Sequence, residues 1–230
     1  DDCLGQATGE ITQRGIEYYA AKAKGGTGLV IVGYVGFIGP ELGGCAMSGQ
    51  TFLMNLDQRH AMSNLAERVH EYGGKVFVQL NHPGRKTTPT FNSGYSPVSS
   101  SAMTPALEKR GFKPCHELTV EEIHQIEDAC VEAGVHAFRA GVDGVEIHCA
   151  HYYLFNQFLS GSRNARTDEY GGSMENRCRI IVEIIEKLRA RVPDTYPITV
   201  RVHLFDGEGM EGENSIEDML EITQYLESKG

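Results

Sequence analysis

Short, nearly continuous apolar runs alternate along this chain with longer stretches whose apolar residues recur at helical spacing. The runs are Leu29-Val30-Ile31-Val32-Gly33, Lys75-Val76-Phe77-Val78-Gln79-Leu80, Gly144-Val145-Glu146-Ile147-His148 and Ile198-Thr199-Val200-Arg201-Val202. Each reads as a strand, and the first as a strand buried on both faces. The helical stretches carry their own start and stop signals. Thr12 is the expected N-cap of a helix that runs to Lys24 and ends at Gly25-Gly26. A second helix is expected from Asp57 to Tyr72, with Ala61, Leu65 and Val69 on its inner stripe, closed by Gly73-Gly74. Thr119-Val120-Glu121-Glu122 is a capping box opening a helix to about Ala140. Ser173 starts a helix with Ile180, Ile181, Ile184, Ile185 and Leu188 on one face. Ser215 opens the last, with Ile216, Met219, Leu220, Thr223 and Leu226 aligned.

Strands that alternate with helices specify parallel βαβ units. The expected fold class is therefore α/β. The four units, 29–33, 75–80, 144–148 and 198–202, make half of a (β/α)8 TIM barrel. Half a barrel leaves two open strand edges and a half-covered core, so residues 1–230 read as one partial barrel domain cut from a larger one. Residues 34–50 are expected to form a surface loop. The Ser-, Thr- and Pro-rich stretch 86–115 is too long for an idle connector and reads as a lid or hairpin excursion over the active face.

Composition narrows the partners. At 230 residues and a net charge of −10, nucleic acid and anionic membranes are disfavoured, and no apolar run approaches a membrane span. The six cysteines are scattered without a Cys-x-x-Cys pair, which argues against a disulfide framework or a clustered metal site and for a reducing, cytoplasmic setting. The acidic run from Asp206 to Glu213 lacks EF-hand spacing and reads as a solvated loop.

The candidate chemistry lies in the third run. His148, His151 and Tyr153 follow one another at the carboxyl end of a strand, the end that carries the chemistry in an α/β barrel. Two imidazoles can donate to one carbonyl oxygen and a phenol can give up a proton, a set that suits polarising an α,β-unsaturated carbonyl. A metal-dependent hydrolase built on the two histidines is the rival, but no third ligand stands at convincing spacing, so no metal is assigned.

Several segments resemble one family. They are Tyr19 with 23–29, Val78-Gln79-Leu80-Asn81-His82-Pro83-Gly84-Arg85, and 144–148 through Gln157-Phe158-Leu159, Asn164, 168–173 and 175–177. They resemble the Old Yellow Enzyme family of FMN-dependent ene reductases, in its NADH:flavin oxidoreductase and 2,4-dienoyl-CoA reductase branch. The resemblance implies FMN as cofactor and NAD(P)H as reductant. It implies His148 and His151 as the pair holding an unsaturated carbonyl substrate and Tyr153 as the proton donor. Gln79 would meet the pyrimidine edge of the flavin, Arg201 the region of flavin N1, and Gly33 would let the ring approach the backbone. Tyr34 and Tyr152 depart from the family pattern, Tyr152 standing where Gly is usual. His82 and Arg85 are expected to structure their loop; Asn164, Arg166, Asp168 and Arg177 to brace the loop after the central strand. Cys149 is expected to be a packed small residue. The same resemblance places the first barrel strand, the phosphate loops, and any [4Fe–4S] centre or FAD domain outside this segment. A homo-oligomer stays open, and the alternative to an active enzyme is a catalytically incomplete fragment that needs a partner or its missing strands.

Overall fold

A computed structural model describes residues 3–204 and 209–229. Helix α1, Gln13–Lys24, starts where the Thr12 hydroxyl accepts from the Gly15 amide, and it stops where Gly26 turns left-handed at φ +97°. Strand β1, Leu29–Gly36, follows. Two-residue strand β2, Thr51–Phe52, leads into α2, Leu56–His70, and then β3, Lys75–Leu80. A long excursion carries β4, Val98–Ser99, α3, Pro105–Lys109, and β5, His116–Glu117. The capping box expected at Thr119 is present and opens α4, Val120–Arg139. Strand β6, Gly144–Cys149, is succeeded by the short α5, Leu154–Leu159, and by α6, Met174–Arg189, whose N-cap is Ser173. Strand β7, Ile198–Val202, and α7, Ile216–Glu227, complete the described chain.

The main sheet is wholly parallel, in the order β2-β1-β3-β6-β7. Sequential strands lie side by side, as right-handed crossovers through α2, α4 and α6 require. The helices cover one face of the sheet. Ile180, Ile181, Ile184, Ile185 and Leu188 of α6 are all buried, as are Ile123, Ile126 and Cys130 of α4. Burying five aliphatic side chains on one helix is worth roughly 1.5–3 kcal/mol each before the entropy of ordering them.

The opposite face is open, and here the sequence expectation fails. Strand β1 is not buried on both faces: Leu29 and Ile31 are 43% and 39% exposed, while Val30 and Val32 between them are buried. A near-continuous apolar run specifies that both sides seek cover, but only the helix side finds it among the described residues. Residues 34–50 are not a surface loop either. Strand β1 continues through Gly36, Val35 and Phe37 enter the core, and buried Gln50 bonds the Ala46 amide and the Gly44 carbonyl.

Two further expectations change. The excursion is no hairpin: β4 and β5 run parallel, because α3 lies between them and returns the chain in the same direction. On α2 the buried stripe is Gln58, Met62, Leu65, Ala66 and Val69, with Ala61 at its edge. On α7 it is Met219, Ile222 and Leu226; Ile216 and Leu220, at the neighbouring i, i+4 positions, are 50% and 57% exposed. Of the acidic run, residues 206–208 lie outside the described residues, and Glu211 pairs with Lys109 at 3.0 Å.

Candidate active site

Strand period and register build the site. With β3 and β6 paired Gln79 to Glu146, and β6 and β7 paired His148 to Arg201, alternate residues share the open face. One extra residue enters β1 between Val32 and Val35, a bulge that places Gly33 and Tyr34 opposite Gln79. The result is a cleft of about 630 Å³ at the carboxyl ends of the strands, lined by Gly33, Tyr34, Gln79, Glu146, His148, His151, Tyr153 and Arg201, with Ile31, Tyr18, Tyr19 and Lys22 at its border. All six residues named from the sequence for substrate or cofactor therefore meet in one place.

The three chemical groups converge. His148 Nε2 lies 3.1 Å from His151 Nδ1, and the Tyr153 ring centre is 5.2 Å from that of His148 and 6.3 Å from that of His151. His148 is 2% exposed, and burial, followed by the nearby His151, Arg201 and His203, brings its pKa down to about 3. Burial and then Arg201 and Lys86 lower His151 as well, so both rings are held toward the neutral form. Burial raises the Tyr153 phenol above its ordinary value, which keeps the proton on it. The mutual bond has a consequence for the expected carbonyl clamp. Two neutral imidazoles bonded to each other present one N–H to a ligand; the second is freed only when that bond opens. The leftover Nδ1 of His148 is buried without a partner.

The turn that presents these groups is tightly held. His151 and Tyr152 sit at φ +58° and +60°, the left-handed region that costs a residue with a Cβ roughly 1–2 kcal/mol. A glycine would take this backbone without that cost. The Tyr152 ring lies 4.1 Å from the Arg163 guanidinium and 5.0 Å from the His203 ring. The His151 amide donates to His203 Nε2, Lys86 donates to the His151 carbonyl, and the Tyr152 amide donates to Asn156. His203, Lys86, Tyr34 and Glu146 had no role in the sequence reading. Tyr34 packs edge-on against Tyr153 with ring centres 5.4 Å apart, and its buried hydroxyl interacts with the Tyr153 phenol, opposing the effect of burial on that group. Only the bulge brings it there, and Gly33 inside the apolar run is the local signal that could have marked it.

Supporting residues fall outside the cleft. His82 is wholly buried, takes the Gly84 amide on Nδ1 and bonds the Leu42 carbonyl through Nε2; burial lowers its pKa to about 4. Arg85 donates to the Ser101, Ala102 and Lys113 carbonyls. Arg166 grips Asp168 at 3.0 and 2.6 Å and reaches the Ser100 and Leu118 carbonyls. Asn164 and Arg177 bond backbone carbonyls on either side of the same loop. Cys149 is a core residue. Among the described residues the one grouping of ligand atoms close enough for a metal is His124, Glu127 and Glu183, between α4 and α6, and neither His148 nor His151 belongs to it.

The open face fits a flat ring with a polar edge. Gly33 brings bare backbone to it, Gln79 supplies an amide, and His148 Nδ1 is a buried polar atom without a partner. The fold is a segment of a (β/α)8 barrel, with the cleft at the carboxyl ends of its strands. The chain belongs to the NADH:flavin oxidoreductase / NADH oxidase family, whose sequence pattern it matches over residues 4–228. It is 40% identical over 227 residues to an NADH oxidase of Thermoanaerobacter brockii, covering 99% of this chain and 34% of that protein. It superposes on a 2-naphthoyl-CoA reductase in complex with 2-naphthoyl-CoA with a TM-score of 0.87 and 30% identity, covering 100% of this chain and 36% of the other. On the Old Yellow Enzyme of Pichia sp. AKU4542 the TM-score is 0.83 at 29% identity, covering 99% and 61%. The chain thus spans about a third to three fifths of the length of these proteins. No helix among the described residues is long and apolar enough to cross a membrane.

Proposed function

We propose that this barrel segment forms the substrate and flavin face of an FMN-dependent ene reductase, acting on the activated C=C bond of an α,β-unsaturated carbonyl or enoyl compound. The observation that carries the reading is the convergence of two imidazoles held neutral and one protonated phenol on a cleft with an unpartnered His148 Nδ1. With FMN bound, the chemistry supplied at this face is hydride transfer from NAD(P)H to the β-carbon. The residues of the chain do the rest. Once their mutual bond opens, His148 and His151 hold the carbonyl oxygen by N–H donation, where negative charge develops as the β-carbon is reduced. Tyr153 gives its proton to the α-carbon, and its raised pKa keeps that proton available at neutral pH. Arg201, beside His148 in the register, puts a cation near the reduced ring, and Gln79 and Gly33 seat it. The relatives named as an NADH oxidase and an acyl-CoA reductase support a nicotinamide reductant and a thioester or other carbonyl as the activating group. The scattered cysteines support a cytoplasmic placement as part of the same proposal.

The test is the full-length protein: it should purify yellow, bleach with NAD(P)H and recover its colour with an enone. Tyr153→Phe should keep the flavin and its bleaching but lose about 10²–10⁴ of the enone rate. Full enone turnover in that variant would remove Tyr153 from the reaction. The exposed Leu29 and Ile31 support a second reading, that residues 1–230 alone are catalytically incomplete. Stoichiometric FMN on that segment as a monomer would defeat it.

A further inference from the structure

Glu146 is the charged side chain of the cleft floor that the proposed reaction leaves without a role. It faces Gln79 directly across the β3–β6 register, and its Oε1 accepts from Gln79 Nε2 at 2.6 Å. A carboxylate offers only lone pairs, so this bond decides which end of the Gln79 amide is nitrogen, an assignment that an isolated amide leaves free. The carbonyl end is then turned toward β1, where a Cβ built on Gly33 would lie 3.4 Å from Oε1. No described residue donates to that oxygen. Gln79 is 5% exposed, so little water competes for the nitrogen end of its amide.

We propose that Glu146 is a positioning residue that locks the Gln79 amide with its carbonyl oxygen facing the cleft, so that the site demands an N–H donor from the ring it binds. This rests on the flavin reading above. The pyrimidine edge of a flavin offers one such donor, N3–H, flanked by carbonyl oxygens. The locked amide has its oxygen for N3–H and one remaining N–H for a neighbouring carbonyl. A ring without a hydrogen at that position would leave the Gln79 oxygen buried and unpaired.

The experiment is a comparison of two ligands on the full-length apoprotein, FMN and 3-methyl-FMN, followed by flavin fluorescence quenching. The wild type should bind FMN roughly ten-fold tighter than the 3-methyl analogue, the order expected for one lost buried hydrogen bond. Glu146→Leu removes the acceptor and should weaken FMN while leaving the analogue nearly as before, so that the preference collapses toward one. Glu146→Gln, which can accept or donate, should fall between. The ratio is independent of general damage to the fold, and thermal melts of each variant check folding separately. A preference retained in Glu146→Leu overturns the inference alone, with the flavin reading intact. A wild type that binds neither ligand overturns the flavin reading, and this inference with it.

Discussion

Two clusters in this molecule use nearly the same residue types and differ in how they are satisfied. Between α4 and α6, the Tyr170 hydroxyl donates to Glu183 at 2.8 Å, with Glu127 at 3.4 Å and His124 Nε2 at 3.0 Å. Lys187 donates to Glu127 and Asp128 at 3.0 and 2.8 Å. Burial, together with the adjacent Glu183, pushes the Glu127 carboxyl above its usual range, and the lysine answers it. Every member has a partner within the protein. In the cleft, by contrast, His148 Nδ1 is buried with none, and the charges nearby, Arg201, Lys86 and His203, all disfavour a protonated imidazole. A network satisfied in this way holds the two helices together. An open one destabilises the fold slightly and keeps its valences for a substrate.

The contrast should appear most strongly in acid. His148 and His82 are neutral in the fold, with pKa values of about 3 and 4 against 6.5 when unfolded. Groups lowered in this way contribute stability that is present above pH 6.5 and is lost as the pH falls toward the folded values, since the unfolded chain then binds the extra protons. Stability should decline by up to about 1.4 kcal/mol per pH unit for each histidine below pH 6.5. Urea melts from pH 7 to 4.5 should show that slope, and His148→Gln should reduce it; an unchanged slope would mean that His148 is already charged in the fold.

The closed cluster should be sensitive to subtraction. Lys187→Met leaves Glu127 buried beside Glu183 without its cation. The loss should be about 1–3 kcal/mol, less than for a wholly buried pair because Lys187 is 40% exposed and Glu127 can take up a proton. The proposed enone turnover should be untouched, because α4 and α6 pack on the far side of the sheet. A variant as stable as the wild type would show the ion pair to be unimportant.

The smallest effect concerns the turn between His148 and Tyr153. Tyr152→Ala keeps the left-handed strain and loses the ring stacked on Arg163; Tyr152→Gly loses the ring and relieves the strain. The glycine variant should be the more stable of the two by about 1 kcal/mol. If alanine is equal or better, Tyr152 is not strained.

Much of the fold was legible because its signals are local. Thr12, Thr119, Ser173 and Ser215 each cap the helix they were expected to open, and the four main strands lie where the apolar runs stand. The errors arose where a pattern admits two partners. The run at Leu29 is apolar throughout, yet its neighbours decide which side is covered; the apolar residues of α7 form two adjacent stripes, of which one is buried. For the site, His148, His151, Tyr153, Gln79, Arg201 and Gly33 were found through the family resemblance and strand-end position. Tyr34 and Glu146, which line the cleft through a bulge and a register pairing, and His203 and Lys86, which reach the His151 turn from distant loops, were not.

By itself, then, the order of residues determined the alternation of strand and helix, the helix ends and the set of groups available for chemistry, since these depend on neighbours a few positions apart. The tertiary structure decided that the two imidazoles bond to each other, that His151 and Tyr152 take left-handed backbone, and that Glu146 orients Gln79. Those facts come from side chains up to some 70 positions apart in the chain, such as Gln79 and Glu146, separated by 67. Only strand pairing brings such residues within hydrogen-bond reach, and no short stretch of sequence encodes that distance.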